Sequence, residues 1–229
     1  ISCHPKLKNL WFARTFNSAC ENGNLENMKW LLKKGCPFNK ETFSCASGNG
    51  NLENMKWMLK KGFPWDGRTF FYACQNGNLD NMKWLLKNGC PFDSSTFSSA
   101  CSNGNLKNIK WLLKNGCRLC SWTFGTACFK GILKNMKWLY KNGCPISEFA
   151  WHNACSNGNL DNMKWLKKIR CPWDKSTFRN ARDKRIIENL IWLRDNGCPY
   201  DESYNHDSII KITDSDIRMD EIIDGAIFF

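Results

Sequence analysis

The feature that most constrains the fold of this chain is a repeat of 27 residues. Tryptophan recurs at this interval in seven copies, at Trp30, Trp57, Trp84, Trp111, Trp138, Trp165 and Trp192. We call such a set, one position followed through successive repeats, a column. A unit this short cannot bury an apolar core alone, so the units must stack on one another. The columns predict that residues 15–200 form an array of about seven repeats.

One copy, residues 90–117, indicates how each unit folds. Asp93 can cap a first helix by accepting backbone N–H bonds. Gly104 and Asn105 supply a tight turn, and Asn105 starts a second helix. Apolar residues recur at helical spacing along both helices, and Gly116 suits the left-handed end of the second one. The predicted fold class is therefore all-α, a helix-turn-helix solenoid.

Residues 96–117 carry a pattern of small and apolar residues. Thr96 opens the unit, the small pair Ala100-Cys101 precedes a Gly-Asn-Leu turn, and Lys-Trp-Leu-Leu-Lys-Asn-Gly closes it. This pattern resembles the ankyrin repeat, whose period is about 33 residues. The six residues fewer fall between repeats, so the resemblance implies short loops and no extended β-hairpin fingers. The short period is similar to that of ankyrin arrays encoded by large DNA viruses of amoebae.

The two ends of the chain differ from the repeats. Residues 1–14 are interpreted as a partial or N-terminal capping repeat. Residues 201–229 hold eight acidic and two basic residues, whereas residues 1–199 hold 31 basic and 13 acidic ones. A polar, divergent last unit suits the end of a stack, so residues 201–229 are predicted to be an acidic C-terminal cap. The alternative is an acidic tail that contacts the basic array.

The 14 cysteines suggest a metal or disulfide scaffold until their positions are considered. Most belong to two columns, one beside the small alanine of the first helix and one after the second helix. Copies in neighbouring repeats lie about 8–10 Å apart, too far for a shared zinc ion or a disulfide. The sequence therefore predicts cysteines that pack as small apolar residues, with no metal and no cofactor. The tryptophan column is likewise predicted to belong to the core.

Lysines form two columns, four residues apart on one face of the second helix. The ankyrin resemblance makes this face the convex side, and a merely solvated face is the simplest interpretation. The alternative is a functional basic surface for nucleic acid or an acidic assembly. Nucleic acid is the less favoured partner, because no exposed aromatic residues alternate with the lysines to stack bases. The candidate basic face comprises Lys83, Lys87, Lys107, Lys110, Lys114, Lys134, Lys137 and Lys141.

Positions that vary between repeats are free of the stacking constraint. In ankyrin arrays the first helices and loops line a concave groove that binds partners, and aromatic and arginine side chains dominate binding energies. The resemblance therefore implies partner contacts at Arg68, Phe71, Tyr72, Trp122, Phe129, His152 and Arg179.

No catalytic constellation is found, because the histidines are scattered and every glycine column belongs to a turn. The expected function is a non-catalytic protein–protein interaction scaffold or adaptor that binds a partner on the concave face. The alternative is a structural component whose basic convex face docks on nucleic acid or an acidic assembly. The absence of glycosylation sequons favours an intracellular location, in the host cytoplasm or a virion if the protein is viral. No membrane span is expected, and the oligomeric state stays open.

Overall fold

The computed structural model describes residues 11–200, which form fourteen helices. The first helices of the repeats are α1 (Ala13–Asn22), α3 (Lys40–Asn49), α5 (Gly67–Asn76), α7 (Ser94–Asn103), α9 (Ser121–Lys130), α11 (Phe149–Asn157) and α13 (Lys175–Asp183). The second helices are α2 (Leu25–Lys33), α4 (Leu52–Lys60), α6 (Leu79–Lys87), α8 (Leu106–Lys114), α10 (Leu133–Lys141), α12 (Leu160–Lys168) and α14 (Ile187–Asp195). Residues 11–200 contain no strand, which confirms the predicted all-α fold and the short loops without β-hairpin fingers. The predicted caps lie outside the described residues, apart from residues 11–14.

The described residues divide into two compact units, residues 11–123 and 124–200. In the first unit α1 packs on α3, α3 on α5 and α5 on α7, and in the second unit α11 packs on α13. Within each unit these first helices approach one another closely at many positions, whereas neighbouring second helices hardly do. Small residues such as Ala46, Ala73 and Ala100 permit the close approach. We call the first helices of each unit its inner row.

A Gly-Asn pair makes the corner between the two helices of most repeats. Gly104 ends α7 at a left-handed φ of +88°, and its N–H donates to the Ala100 carbonyl at 3.0 Å. Asn105 then starts α8, and its side chain accepts the Lys107 N–H. At the other end of α7 the Asp93 carboxylate accepts the N–H groups of residues 95 and 96. The predicted caps at Asp93 and Asn105 are confirmed.

The core is built from columns of fully buried side chains. The first helices supply an aromatic residue, at Phe16, Phe43, Phe70, Phe97, Phe124, Trp151 and Phe178. The second helices supply two apolar columns, one led by Met28 and the other by Leu31. The tryptophan column was predicted to lie with them, and this is wrong: Trp30 is exposed and the other six are half-buried. At the 100° per residue of an α-helix, each of these tryptophans lies outside the arc that holds the two buried columns, at the edge of the apolar face. Several rings pack on loop aromatics there, as Trp84 does on Trp65 with 6.1 Å between ring centroids.

Buried asparagines tie each repeat to the one before it. The side-chain amide of Asn81 donates to the Gly50 carbonyl at 2.6 Å, and that of Asn108 to the Gly77 carbonyl at 2.7 Å. The same bond recurs from Asn54, Asn162 and Asn189 to Gly23, Gly131 and Gly158. These asparagine amides donate to carbonyls at helix ends that would otherwise be left without a hydrogen-bond donor. The 27-residue spacing of Asn-Met-Lys-Trp carried this signal, and sequence reasoning missed it.

The cysteine columns lie inside the core. Cys101 and Cys155 are fully buried beside the alanines, and Cys117 and Cys171 are buried after the second helices. Burial raises the pKa of the Cys155 thiol to about 12 and, with the nearby Asp93 charge, that of Cys117 to about 11. A protonated, dry thiol packs as a small apolar group. The prediction that these cysteines are packing residues is confirmed.

Candidate partner-binding site

Three of the predicted contact residues meet at the start of α5. Arg68, Phe71 and Tyr72 line an open cleft of about 510 Å³. The rest of its lining comes from the loop before α5 and from the next repeat, at Asp66, Gly67, Asp93 and Ser95. Sequence reasoning placed the first three residues on one surface and missed both aspartates, because it considered Asp93 only as a helix cap.

The local fold fixes each side chain of this cleft. The Asp66 carboxylate accepts the Arg68 N–H at 3.0 Å and lies 3.5 Å from the Arg68 guanidinium, which holds that group at the rim. Tyr72 packs against Gly48 of the preceding repeat. A Cβ added to Gly48 would lie 3.7 Å from the Tyr72 ring, which is ordinary contact. The rings of Phe71 and Tyr72 meet edge to face, with centroids 5.5 Å apart. Tyr72 nevertheless keeps 39% of its surface exposed.

The Asp93 carboxylate adds a negative charge to the lining of the cleft. The Ser95 hydroxyl, together with the N–H groups of residues 95 and 96, lowers the pKa of the Asp93 carboxyl. Its neighbour Asp66 lies next to the Arg68 cation. The cleft therefore offers an aromatic surface between charges of both signs, which suits a peptide segment with apolar and charged side chains.

The remaining predicted contact residues lie on later first helices. Trp122 at the start of α9 is 63% exposed, and Phe129 near the end of that helix is 55% exposed. His152 on α11 and Arg179 on α13 are exposed as well. Sequence reasoning missed Phe149, which is 45% exposed and lies in the same column as Trp122. It lies beside Gly125 of the preceding repeat, where an added Cβ would be at an ordinary contact distance of 3.9 Å from the Phe149 Cβ.

The candidate basic face lies on the second helices. Lys83 and Lys87 on α6, Lys107, Lys110 and Lys114 on α8, and Lys134, Lys137 and Lys141 on α10 are all exposed. In α6 the Asp80 carboxylate lies 3.2 Å from the Lys83 amine. The first turns of α8 and α10 carry no acidic residue. These two helices therefore present lysines without the compensating acid of the other repeats.

Comparison with known proteins identifies the repeat. The family described as "Ankyrin repeats (3 copies)" matches three overlapping stretches, residues 16–96, 43–122 and 70–149. Together these stretches cover more than half of the chain. The chain belongs to the ankyrin repeat family. No curated protein sequence matches it significantly.

Solved structures contain the same ankyrin fold. The crystal structure of the human ASB11 ankyrin repeat domain superposes with a TM-score of 0.55 at 19% identity. The match covers 69% of this chain and 84% of the ASB11 chain. At this identity the likeness concerns the fold alone, which is a stack of helix pairs.

Within residues 11–200 there is no cluster of three or more His, Cys, Asp or Glu side chains that could hold a metal ion. None of the helices in that range combines the length and the hydropathy that crossing a membrane requires.

Proposed function

We propose that this ankyrin array is a non-catalytic scaffold or adaptor that binds a protein partner on its inner rows. The observation that carries the proposal is the cleft at Arg68, Phe71 and Tyr72, with exposed aromatics on other first helices. Large aromatic side chains in water gain free energy when a partner covers them. The next repeat carries serine in the same three columns, at Ser95, Ser98 and Ser99. The aromatic residues are therefore not required by the stacking of the repeats.

Exchange of side chains between repeats tests this proposal. The variant Arg68→Ser, Phe71→Ser, Tyr72→Ser, Trp122→Ser keeps residues that other repeats accept in the same columns. If each contact residue contributes about 2 kcal/mol, capture of a partner from the native cell should fall more than 100-fold. The matched control replaces four lysines of the candidate basic face with glutamine, namely Lys83, Lys87, Lys110 and Lys114. This control should retain capture. Retained capture by the serine variant, with unchanged circular dichroism, would contradict the assignment of this surface.

A second candidate function follows from the lysines of α8 and α10. Without acidic partners in their first turns, these helices present Lys107, Lys110 and Lys114, and separately Lys134, Lys137 and Lys141, to an acidic assembly or nucleic acid. Binding of this kind should weaken steeply between about 50 and 200 mM salt, because counterions are released. Absence of duplex and single-strand binding at about 50 mM salt would remove the nucleic-acid form of this function.

We also propose an intracellular location and a viral origin for the array. The location is supported by the cysteines of residues 11–200, which form no disulfide and are mostly buried, as expected in a reducing compartment. The origin is supported by the 27-residue period and its Asn-Met-Lys-Trp signature. Residues 1–14 are proposed as an N-terminal cap of the array. For residues 201–229 there are two proposals, an acidic C-terminal cap and an acidic tail that contacts the array.

A further inference from the structure

The outer side of the last described repeat carries an apolar groove. It lies between α12 and α14, measures about 500 Å³ and is lined by Leu160, Ile187, Ile191 and Trp192. Ile187 is 38% exposed and Ile191 is 40% exposed. These two exposed isoleucines lie one turn apart on the same helix face. Binding of an apolar segment that removes them from water would lower the free energy.

This groove arises from two departures from the repeat. Ile191 occupies a column that holds lysine in the six earlier repeats, from Lys29 to Lys164. Asp195 occupies a column that likewise holds lysine, from Lys33 to Lys168. The two lysine columns therefore end at α14, and an apolar side chain with an acidic neighbour takes their place. Stacking does not require the change, since lysine serves at the first of these positions in every other repeat.

We propose that residues 201–229 of the same chain bind in this groove. Asn196 lines the groove, and the described chain ends four residues later at Tyr200, whose ring packs on Phe178 of α13. Four residues span at most about 14 Å, so the segment that follows starts within reach of the groove. The segment is rich in large apolar residues, namely Ile209, Ile210, Ile212, Ile217, Met219, Ile222, Ile223, Ile227, Phe228 and Phe229.

Charge complementarity supports the same occupant. The segment has six more acidic than basic residues. The α12 side of the groove presents Lys164, and Lys168 is exposed one turn further along that helix. On the α14 side Glu188 and Asp195 line the groove. The two basic residues of the segment, Lys211 and Arg218, can compensate these acids, so the segment matches both sides in sign.

Hydrogen–deuterium exchange of the full chain tests the proposal. In the unchanged protein the amides of residues 205–227 should exchange more slowly than those of an unstructured peptide. The variant Ile191→Lys restores the residue of the other six repeats and should speed this exchange about fivefold to tenfold, because it removes an apolar contact. The matched control Lys110→Ile makes the reverse exchange in another repeat and should leave the segment unchanged. Unchanged protection of α13 and α14 in both variants shows that the array stays folded.

A double variant within the segment, Ile212→Asp with Ile223→Asp, gives the same test without touching the groove, and the same gain in exchange is expected. Three outcomes would overturn the proposal. The segment exchanges as an unstructured peptide in the unchanged protein, or Ile191→Lys leaves its protection intact. The third is protection that grows with protein concentration, which would make a second copy of the chain the occupant.

Discussion

At the residue scale, the buried asparagine amides connect the repeats more specifically than the apolar columns do. An apolar side chain tolerates small shifts of its neighbour, whereas a bond of 2.7 Å from the Asn108 amide to the Gly77 carbonyl fixes the register of two repeats. The amide oxygen of Asn108 is buried and has no hydrogen-bond partner among the described residues. The contribution of the asparagine therefore lies in its donor group, which answers a carbonyl at a helix end.

Replacement of Asn108 by leucine should lower the free energy of unfolding by about 1–3 kcal/mol, because the Gly77 carbonyl is left buried without a donor. Urea denaturation followed by circular dichroism measures the change. The control Asn115→Ala removes an exposed bond to the Trp111 carbonyl and should cost less than about 0.5 kcal/mol. Equal losses in the two variants would show that the buried amide has no special role.

A second residue-scale prediction concerns Arg170, which stands in a glycine column at a φ of +56°. A side chain costs about 1–2 kcal/mol in this left-handed region, and glycine relieves it at some cost in unfolded-state entropy. Arg170→Gly should therefore stabilise the protein by about 0.5–1 kcal/mol in thermal denaturation.

The matched variant is Gly143→Ala in the same column, at a φ of +75°. A Cβ there meets no atom within 4 Å, so its expected cost of about 1 kcal/mol is purely conformational. A destabilising Arg170→Gly would mean that the arginine makes contacts worth more than the strain of its backbone.

Sequence reasoning placed a residue correctly when the residue's own helix determines its burial, and failed when neighbouring repeats or loops determine it. The cysteines were placed correctly because an i, i+3, i+4 pattern fixes their side of the first helix. The tryptophans were misplaced because a residue at the edge of an apolar face is buried only as far as a neighbouring loop covers it. Phe149 was overlooked although it stands in the column of Trp122, because only the structure shows that 45% of its surface is exposed. Tertiary neighbours, which the sequence pattern does not contain, decide such positions.

At the element scale, each helix carries its own start and stop signals. The Asp93 carboxylate accepts the Thr96 N–H at the start of α7, and the Thr96 hydroxyl accepts the Asp93 N–H at 3.3 Å. Asp174 and Thr177 make the same capping box in α13, and Asn39 and Thr42 in α3. These signals are local, which explains why helix boundaries near Asp93, Gly104 and Asn105 could be predicted from sequence. The close approach of the inner row could not, since it depends on which faces meet.

The aspartate cap predicts a pH dependence that an asparagine cap lacks. The pKa of Asp93 is lowered in the folded protein by its bonds to residues 95 and 96. Its contribution to stability is therefore complete above the unfolded value of about 4 and disappears as the pH falls through the folded value. Asp93→Asn installs the cap that Asn39 provides in another repeat.

At pH 7 and low salt the unchanged protein should be more stable than Asp93→Asn by about 0.3–1 kcal/mol, the value of an anion at a helix N-terminus. The difference should shrink below about pH 4 and vanish once the carboxyl is protonated. Urea titrations at several pH values measure it. A difference that stays constant from pH 7 to about pH 3 would contradict the role of the charge.

At the scale of the whole molecule, the repeats bury thiols in both compact units, for example Cys74 and Cys101 in the first and Cys155 and Cys171 in the second. The cysteines of residues 11–200 form no disulfide, so each reports on how often its surroundings open. A thiol reacts as the thiolate, and burial raises the pKa of Cys155 and Cys171 to about 12. Labelling of these positions therefore requires opening of the stack.

Thiol alkylation with peptide mapping at pH 8 should give two classes among the cysteines of residues 11–200. Cys120 is only half-buried and should react first, whereas its neighbour Cys117, buried with a pKa raised to about 11, should react with the core thiols. Cys45 is half-buried too, but burial and the Glu21 carboxylate raise its pKa to about 12, which should slow its alkylation relative to that of Cys120.

Urea should accelerate the alkylation of the core thiols of each unit together, because stacked repeats lose their shared core cooperatively. Cys120→Ser should remove the fast class and Cys117→Ser should preserve it. Loss of the fast class in both variants would instead make Cys117 and Cys120 a coupled redox pair, against the packing role assigned to the column.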